Sequence, residues 1–365
     1  MKLAAIKAVD EVRSPITPDT VKKYVGLGYD VTVETGLGLP AGLPDAAFED
    51  AGAAVSDDAS SGADIVLVAG PVSGEAAGAL ARGTCLVGML DPYDRKDDLA
   101  AYAGHGVDAF AMELVPRITR AQAMDVLSSQ ANLAGYKAVI DASSNYVRAF
   151  PMMMTAAGTV PPAKVFVMGA GVAGLQAIAT ARRLGAVVSA TDVRAAAGEQ
   201  VESLGGTFIF VKEAMEEGEG TGGYAKELTA EQQQAQQELV TEHLKKMDVV
   251  ITTALIPGRP APKLITSDML NGMKPGSVVI DLAAPRGGNV EGSADGVTVI
   301  SPMSILDGLA GEASNLLARN FLSFVTLITN KEDQQVHVDP EDEIIQGVQL
   351  TRDGAIVHER FVEAG

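Results

Sequence analysis

Short apolar segments alternate with helix-like stretches along most of this 365-residue chain, and this alternation restricts the folds that it can adopt. Strand, helix and strand in succession favour a parallel sheet with right-handed crossovers, so the sequence predicts an α/β fold. In the first third, the predicted strands are Leu3–Ile6, Asp30–Glu34, Asp64–Ala69, Thr84–Met89 and Asp108–Met112. The predicted helices are Pro18–Leu27, Leu43–Ala51, Gly74–Ala81 and Lys96–Ala103.

A second alternation begins near Pro161, after a helical stretch from about Arg120 to Asn145. Its predicted strands are Ala163–Met168, Val187–Asp192, Asp248–Thr252, Ser277–Asp281 and Val297–Ile300, and its predicted helices are Val172–Leu184, Ala195–Leu204 and Glu231–Lys246. Because the chain is longer than one core comfortably serves, we predict two Rossmann-like domains with parallel sheets.

The end of the chain is predicted to return to the first domain. A late helix, Ala313–Leu327, precedes a polar tail with a predicted hairpin around Arg352-Asp353-Gly354. Packing of this helix on the first domain would make that domain discontinuous. We therefore predict a first domain of residues 1–127 and 306–365, and a second, nucleotide-binding domain of residues 128–305.

The segment Gly169-Ala170-Gly171-Val172-Ala173-Gly174 is a G-x-G-x-x-G motif between a predicted strand and a predicted helix. This context is the one in which the motif binds a dinucleotide. Gly169 allows a tight turn, Gly171 lets the backbone approach a diphosphate, and Gly174 permits close helix–strand packing. The amides of Val172 and Ala173 open the helix, where backbone donors and the helix dipole favour an anion.

An acidic residue ends the second strand of this unit. Asp192 lies 21 positions beyond Gly171 (192 − 171), where a carboxylate accepts hydrogen bonds from ribose hydroxyls and repels a 2′-phosphate. The sequence therefore favours NAD(H) over NADP(H). Arg194 leaves the alternative open, since an arginine can accommodate that phosphate.

Composition excludes several classes of function. The net charge of −19 opposes binding to nucleic acid or to an anionic membrane, and aromatic residues are only 4% of the chain. Cys85 is the only cysteine, which excludes disulfides and multi-cysteine metal sites, and its apolar neighbours predict a buried strand residue. No signal peptide or membrane-spanning segment is recognised, so we expect a cytoplasmic protein. We also expect no metal site.

A glycine-rich acidic stretch, Met215–Gly223, interrupts the alternation and is followed by Tyr224. It cannot bury enough surface to order itself. Either a plain surface linker or a functional mobile loop would fit this composition.

Further motifs accompany the glycine motif along the chain: Glu113–Gln130, Asn132–Tyr136, Phe150–Ala163, Ala190–Arg194, Gly222–Glu227, Thr252–Pro262 and Met273–Ser277. Together these motifs resemble the NAD(H)-binding domain I of proton-translocating nicotinamide nucleotide transhydrogenase, of the alanine dehydrogenase/transhydrogenase family. The similarity is dense over residues 106–283 and returns at Thr351–His358.

The resemblance implies roles for individual residues. Arg117, Gln122 and Asp125 would form a loop over the nicotinamide, with Ser128 on its carboxamide. Tyr224 would be carried on a mobile loop that closes over the nucleotide. The NAD(H) site is expected in the cleft between the two domains. Four further residues are expected to contact the cofactor there: Val193, Thr253, Ala254 and Leu255.

The resemblance also implies partners. Hydride would pass directly to NADP(H) on a separate domain III, coupled to proton movement through a membrane domain II. A homodimer is expected, cytoplasmic and peripheral at the inner membrane. The chain ends at Gly365 without an apolar segment, which in this family predicts a split-subunit form.

Two rival functions remain open. An alanine dehydrogenase would need Lys and His in the first domain, and Val66–Pro71 and Gly88–Pro92 contain neither. A non-catalytic NAD(H)-binding module is the second rival, and it would have no need for Arg117, Gln122 and Asp125 as a set. The alternative explanation of Arg117 and Asp125 is an ion pair between them, within a helix or at a helix cap. The four histidines (His105, His243, His337 and His358) are expected to be solvated.

Overall fold

The computed structural model describes residues 1–211, 229–256, 258–330 and 332–362. The chain divides into two compact units, unit 1 with Met1–Gln130 and Asp307–Gly365, and unit 2 with Ala131–Leu306. Each unit is built on its own parallel six-stranded sheet.

Unit 1 has the strand order β3-β2-β1-β4-β5-β6. Its strands are β1 (Lys2–Ile6), β2 (Asp30–Glu34), β3 (Ala54–Ser56), β4 (Ile65–Val68), β5 (Cys85–Gly88) and β6 (Asp108–Ala111). Its helices are α1 (Pro18–Gly26), α2 (Asp45–Asp50), α3 (Gly74–Ala77) and α4 (Lys96–His105), and α5 (Val126–Asn145) begins in this unit. Strand β4 is apolar throughout because both faces of a parallel sheet are covered.

Unit 2 repeats this arrangement with the strand order β11-β10-β9-β12-β13-β14. The strands of this sheet are β9 (Lys164–Met168), β10 (Val187–Thr191), β11 (Thr207–Phe208), β12 (Val249–Thr252), β13 (Val278–Asp281) and β14 (Thr298–Ile300). A separate hairpin of β7 (Met153–Thr155) and β8 (Gly158–Val160) precedes them in the chain. The helices are α6 (Val172–Arg183), α7 (Ala197–Ser203), α8 (Ala230–Leu244) and α9 (Ser267–Asn271). The strand order reverses at β9, and ligands of such sheets bind at the carboxyl ends of the strands beside this point.

The C-terminal part of unit 1 adds two helices, α10 (Ala310–Leu327) and α11 (Glu343–Val348), and two antiparallel hairpins. The hairpins are β15 (Thr329–Asn330) with β16 (Gln335–Val336), and β17 (Thr351–Arg352) with β18 (Ala355–Ile356). Helix α10 buries Phe321 and Phe324 in the core of the first sheet, where the Phe324 ring lies 5.6 Å from that of Phe110.

The predicted α/β fold with two Rossmann-like parallel sheets is confirmed, and so is the hairpin at Arg352–Gly354. The sequence pattern does not predict the edge strands β3 and β11, because strands of three and two residues show no periodicity. The predicted helix from Arg120 to Asn145 is wrong in its first turn. There a 3-10 helix, Thr119–Met124, ends at Asp125, whose ψ of 89° interrupts the helix before α5.

Among the described residues, no helix is long and apolar enough to cross a membrane.

Candidate functional site

The glycine motif forms the turn between β9 and α6, and two of its glycines are required by the protein itself. Gly169 has a φ of +106°, and a Cβ there would lie 2.4 Å from Thr253 Oγ1. A Cβ on Gly174 would lie 1.8 Å from the carbonyl oxygen of Gly169. The backbone conformation and the close helix–strand approach therefore account for both residues.

Gly171 has no such requirement. Its φ is −78°, which any residue adopts, and a Cβ there would meet nothing within 4 Å. Gly171 is the N-cap of α6, and no described side chain caps this helix. In motifs of this kind the second glycine lets the backbone approach a diphosphate, which a side chain at position 171 would obstruct. This arrangement suits an anion that approaches the backbone closely.

Asp192 follows β10 directly, and its side chain is 8% exposed. Its Oδ2 accepts the Ala170 amide at 2.7 Å, and its Oδ1 accepts the amide and Nε of Arg194, each at 2.9 Å. Burial raises the pKa of this carboxyl, but the hydrogen bonds from Arg194 and Ala170 outweigh burial, and the net pKa is lowered. Asp192 is therefore anionic at neutral pH, and it neutralises the guanidinium of Arg194. Val193, between them, is exposed.

The segment Thr253–Leu255 follows β12 at the same end of the sheet. Thr253 Oγ1 donates to the Gly169 carbonyl at 3.2 Å, and Leu255 is exposed. The fully buried Asn289 fixes the backbone of Ala254, since its Oδ1 accepts the Ala254 amide at 3.0 Å and its Nδ2 donates to the Ala254 carbonyl at 2.9 Å. Sequence reasoning missed Asn289, which lies 35 residues from its partner.

Gly135 is a second residue whose role was missed. It lies on α5, and a Cβ there would be 2.0 Å from the carbonyl oxygen of Ala173 in the first turn of α6. Glycine in a helix interior costs about 1 kcal/mol of stability relative to alanine. The close approach of α5 to α6 explains why glycine occurs here despite that cost.

The four predicted loop residues lie in unit 1. Arg117 and Gln122 are exposed, while Asp125 and Ser128 are half-buried. Asp125 caps α5, because its Oδ1 accepts the Ser128 amide at 2.8 Å and its Oδ2 accepts the Ser128 hydroxyl at 2.6 Å. Among the ion pairs of the described residues, none joins Arg117 to Asp125, so the alternative of an ion pair between them is wrong.

The predicted site residues thus fall into two groups. Arg117, Gln122, Asp125 and Ser128 belong to unit 1, and the residues from Gly169 to Leu255 belong to unit 2. Tyr224 and the predicted mobile loop lie outside the described residues.

A buried carboxyl that the sequence did not single out precedes the loop. Glu113 Oε1 accepts the amide of Asp91 at 2.6 Å, and Asp91 has a left-handed φ of 50°. Glu113 Oε2 is buried without a hydrogen-bond partner among the described residues. Burial raises the pKa of Glu113 to about 7.

The expected solvation of the histidines is wrong for two of them. His358 is buried, with Nε2 3.1 Å from the Gly347 carbonyl, and burial lowers its pKa. His243 is half-buried on the inner face of α8, with Nε2 2.7 Å from Ser189 Oγ.

Cys85 is buried in β5 as predicted, and burial raises its pKa to about 12. The described residues contain no cluster of three or more His, Cys, Asp or Glu that could hold a metal ion.

The chain is an α/β protein with two Rossmann-like units, and the second unit carries a glycine-rich turn between a strand and a helix. The N-terminal domain of the alanine dehydrogenase/PNT family matches residues 6–134, and the C-terminal domain of that family matches residues 138–359. The chain therefore belongs to the alanine dehydrogenase/PNT family, and the resemblance inferred from its motifs is confirmed.

Individual relatives narrow the comparison. The chain is 50% identical over 371 residues to the first part of the NAD(P) transhydrogenase subunit alpha of Rhodospirillum rubrum, covering 97% of each protein. The crystal structure of transhydrogenase from Sinorhizobium meliloti superposes with a TM-score of 0.88 at 49% identity, covering 97% of this chain and 100% of that one. An L-alanine dehydrogenase structure shares the fold, with a TM-score of 0.80 at 21% identity, covering 99% of this chain and 98% of that chain.

Proposed function

We propose that this protein is the NAD(H)-binding component of a proton-translocating transhydrogenase. The observation that carries the proposal is Gly171, a glycine that the fold does not require, at an uncapped helix N-terminus. The similarity to transhydrogenase alpha subunits supports it.

The residues of unit 2 fit an NAD(H) dinucleotide. The amides of the first turn of α6 would bind the diphosphate, and Asp192 would accept the ribose hydroxyls after Arg194 moves aside. Val193, Ala254 and Leu255 offer backbone and apolar surface to the rest of the nucleotide. The carboxylate of Asp192 would repel a 2′-phosphate on that ribose, which favours NAD(H) over NADP(H).

The nicotinamide ring of bound NAD(H) supplies the hydride chemistry. Hydride transfer between two nicotinamides requires no proton at the reacting carbons, so Arg117, Gln122, Asp125 and Ser128 would bind, orient and exclude water. The absence of Lys and His from Val66–Pro71 and Gly88–Pro92 argues against reduction of an amino-acid substrate.

The remaining parts of the system would lie on other chains. NADP(H) would be held by a domain III partner, and a membrane domain II would couple transfer to proton movement. In this proposal, the protein forms a homodimer that is peripheral at the inner membrane through its partners.

The reaction can be tested by adding this protein to domain III loaded with NADPH and measuring the reduction of an NAD⁺ analogue. No reduction with a competent domain III would contradict the proposal.

Gly171→Ala should weaken NADH binding while the fold persists. The added methyl enters open space in the protein but obstructs the diphosphate, so we expect NADH affinity to fall about tenfold or more. The melting temperature should change by no more than about 4 °C. Gly174→Ala is the contrasting variant, since its Cβ overlaps the Gly169 carbonyl and should lower the melting temperature by about 6 °C or more. Unchanged NADH affinity in Gly171→Ala would contradict the site.

Arg117→Ala should lower the rate of hydride transfer far more than it lowers NADH affinity. The side chain is exposed, and the diphosphate would be bound by the first-turn amides of α6, so Arg117 would orient the nicotinamide without supplying most of the binding energy. We expect a rate loss of about 100-fold with a Kd within about threefold of the wild type. Arg95→Ala, at a partly exposed arginine on a different loop, is the control. An unchanged rate would remove the assigned role of Arg117.

A further inference from the structure

Resting on the proposed function, we propose that Asn320 is the positioning residue of the Arg117–Ser128 loop. Asn320 lies on α10, about 190 residues from the loop in sequence, and the residue is 8% exposed. Its amide reaches the loop at two points. Nδ2 donates to the carbonyl of Ala123 at 2.8 Å, and Oδ1 accepts the hydroxyl of Ser129 at 2.8 Å.

Both contacts lie next to the residues that carry the proposed chemistry. Ala123 follows Gln122 directly, and Ser129 follows Ser128 directly. Between the two contacts, Asp125 closes the cap of α5 on Ser128. Asn320 therefore contacts the chain on both sides of the cap, through the backbone of Ala123 and the side chain of Ser129, and these two hydrogen bonds involve none of the four predicted loop side chains.

The chemistry of this position selects asparagine. The side chain must donate to a carbonyl and accept from a hydroxyl at the same time, and a carboxylate cannot donate. The 3-10 turn Thr119–Met124 needs such support, because 3-10 hydrogen bonds have poorer geometry than those of an α-helix. A second tether joins Arg120 to Asp342 through two hydrogen bonds of 2.7 and 2.8 Å, at the other end of this 3-10 turn.

Asn320→Asp is the sharpest variant, because it is isosteric and places a carboxylate oxygen against the Ala123 carbonyl. Asn320→Ala and Ser129→Ala remove the contacts without adding charge. Ser323→Ala, at a half-buried residue on the same helix whose hydroxyl donates to the carbonyl of Arg319, is the matched control.

Two readouts test the proposal. In the protein without nucleotide, Asn320→Asp and Asn320→Ala should accelerate amide hydrogen exchange in residues 119–129 by about tenfold or more, with exchange in α6 unchanged. With NADPH-loaded domain III, kcat should fall about 10- to 100-fold while KM for the NAD⁺ analogue and Kd for NADH stay within about threefold. The Ser129→Ala/Asn320→Ala double variant should lose less than the sum of the two single losses.

Outcomes separate this proposal from the proposed function. If the wild-type protein transfers hydride and the Asn320 variants do so equally fast, the positioning role is wrong and the proposed function stands. If exchange accelerates evenly over the whole of unit 1, Asn320 is a general stability residue and the proposal is overturned. If Asn320→Asp does not fold, Ser129→Ala supplies the same two readouts. Absence of transfer by the wild type contradicts the proposed function, and the hydrogen-exchange result then decides the positioning claim alone.

Discussion

Asp192→Asn should shift the nucleotide preference of this protein from NADH towards NADPH. The carboxylate that repels a 2′-phosphate is lost, and the guanidinium of Arg194 is released from its bonds of 2.9 and 3.2 Å to Asp192. We expect the NADH affinity to fall about 10- to 100-fold, because a hydrogen bond to a charged group contributes about 1.5–3 kcal/mol. NADPH affinity should rise, with the gain shrinking as salt screens Arg194. Measuring Kd for both nucleotides at two salt concentrations tests this.

The contribution of Arg194 can be separated. In the Asp192→Asn/Arg194→Ala double variant, the gain in NADPH affinity should disappear while the loss of NADH affinity remains. Arg182→Ala, at a basic residue in the last turn of α6, controls for a general loss of positive charge from unit 2. An unchanged ratio of the two Kd values in Asp192→Asn would mean that this carboxylate does not choose the nucleotide.

The parts of this molecule that the sequence predicts well are those encoded locally. The pattern predicts strand β2 at Asp30–Glu34, as observed, and the turn from β9 into α6 follows directly from its glycines. Apolar periodicity and turn residues act over a few positions, so they are visible in one sequence. The same reasoning misses β11, where two residues pair at a sheet edge through partners that the pattern cannot show.

The supporting residues of the site depend on contacts between distant positions. Asn289 and Asn320 are buried amides whose partners lie 35 and nearly 200 residues away, and a polar residue in a sequence predicts exposure unless its partner is known. The solvation expected for His358 is wrong for the same reason. Glu113 lies within a motif that indicates the family, but its burial becomes visible only where β6 ends beside the turn at Asp91.

Glu113→Gln should stabilise the protein at alkaline pH relative to acidic pH. Burial raises the pKa of Glu113 from its ordinary value of 4.5 to about 7. The folded protein therefore binds a proton that the unfolded chain releases between these two values, so the contribution of Glu113 to stability falls as pH rises from 4.5 to 7. Above about pH 7 the buried carboxylate costs about 3 kcal/mol, since one pKa unit corresponds to about 1.4 kcal/mol.

Glutamine has the same shape, still accepts the Asp91 amide and does not titrate. The difference in unfolding free energy between Glu113→Gln and the wild type should therefore grow by about 2.5 kcal/mol in favour of the variant from about pH 5 to about pH 8. Urea unfolding at both pH values measures it, and Glu49→Gln, at an exposed carboxyl on α2, should show no such growth. An equal difference at both pH values would mean that Glu113 stays ionised in the folded protein. The orphan oxygen Oε2 would then need a donor, because an anionic oxygen buried without one is more costly than the neutral acid.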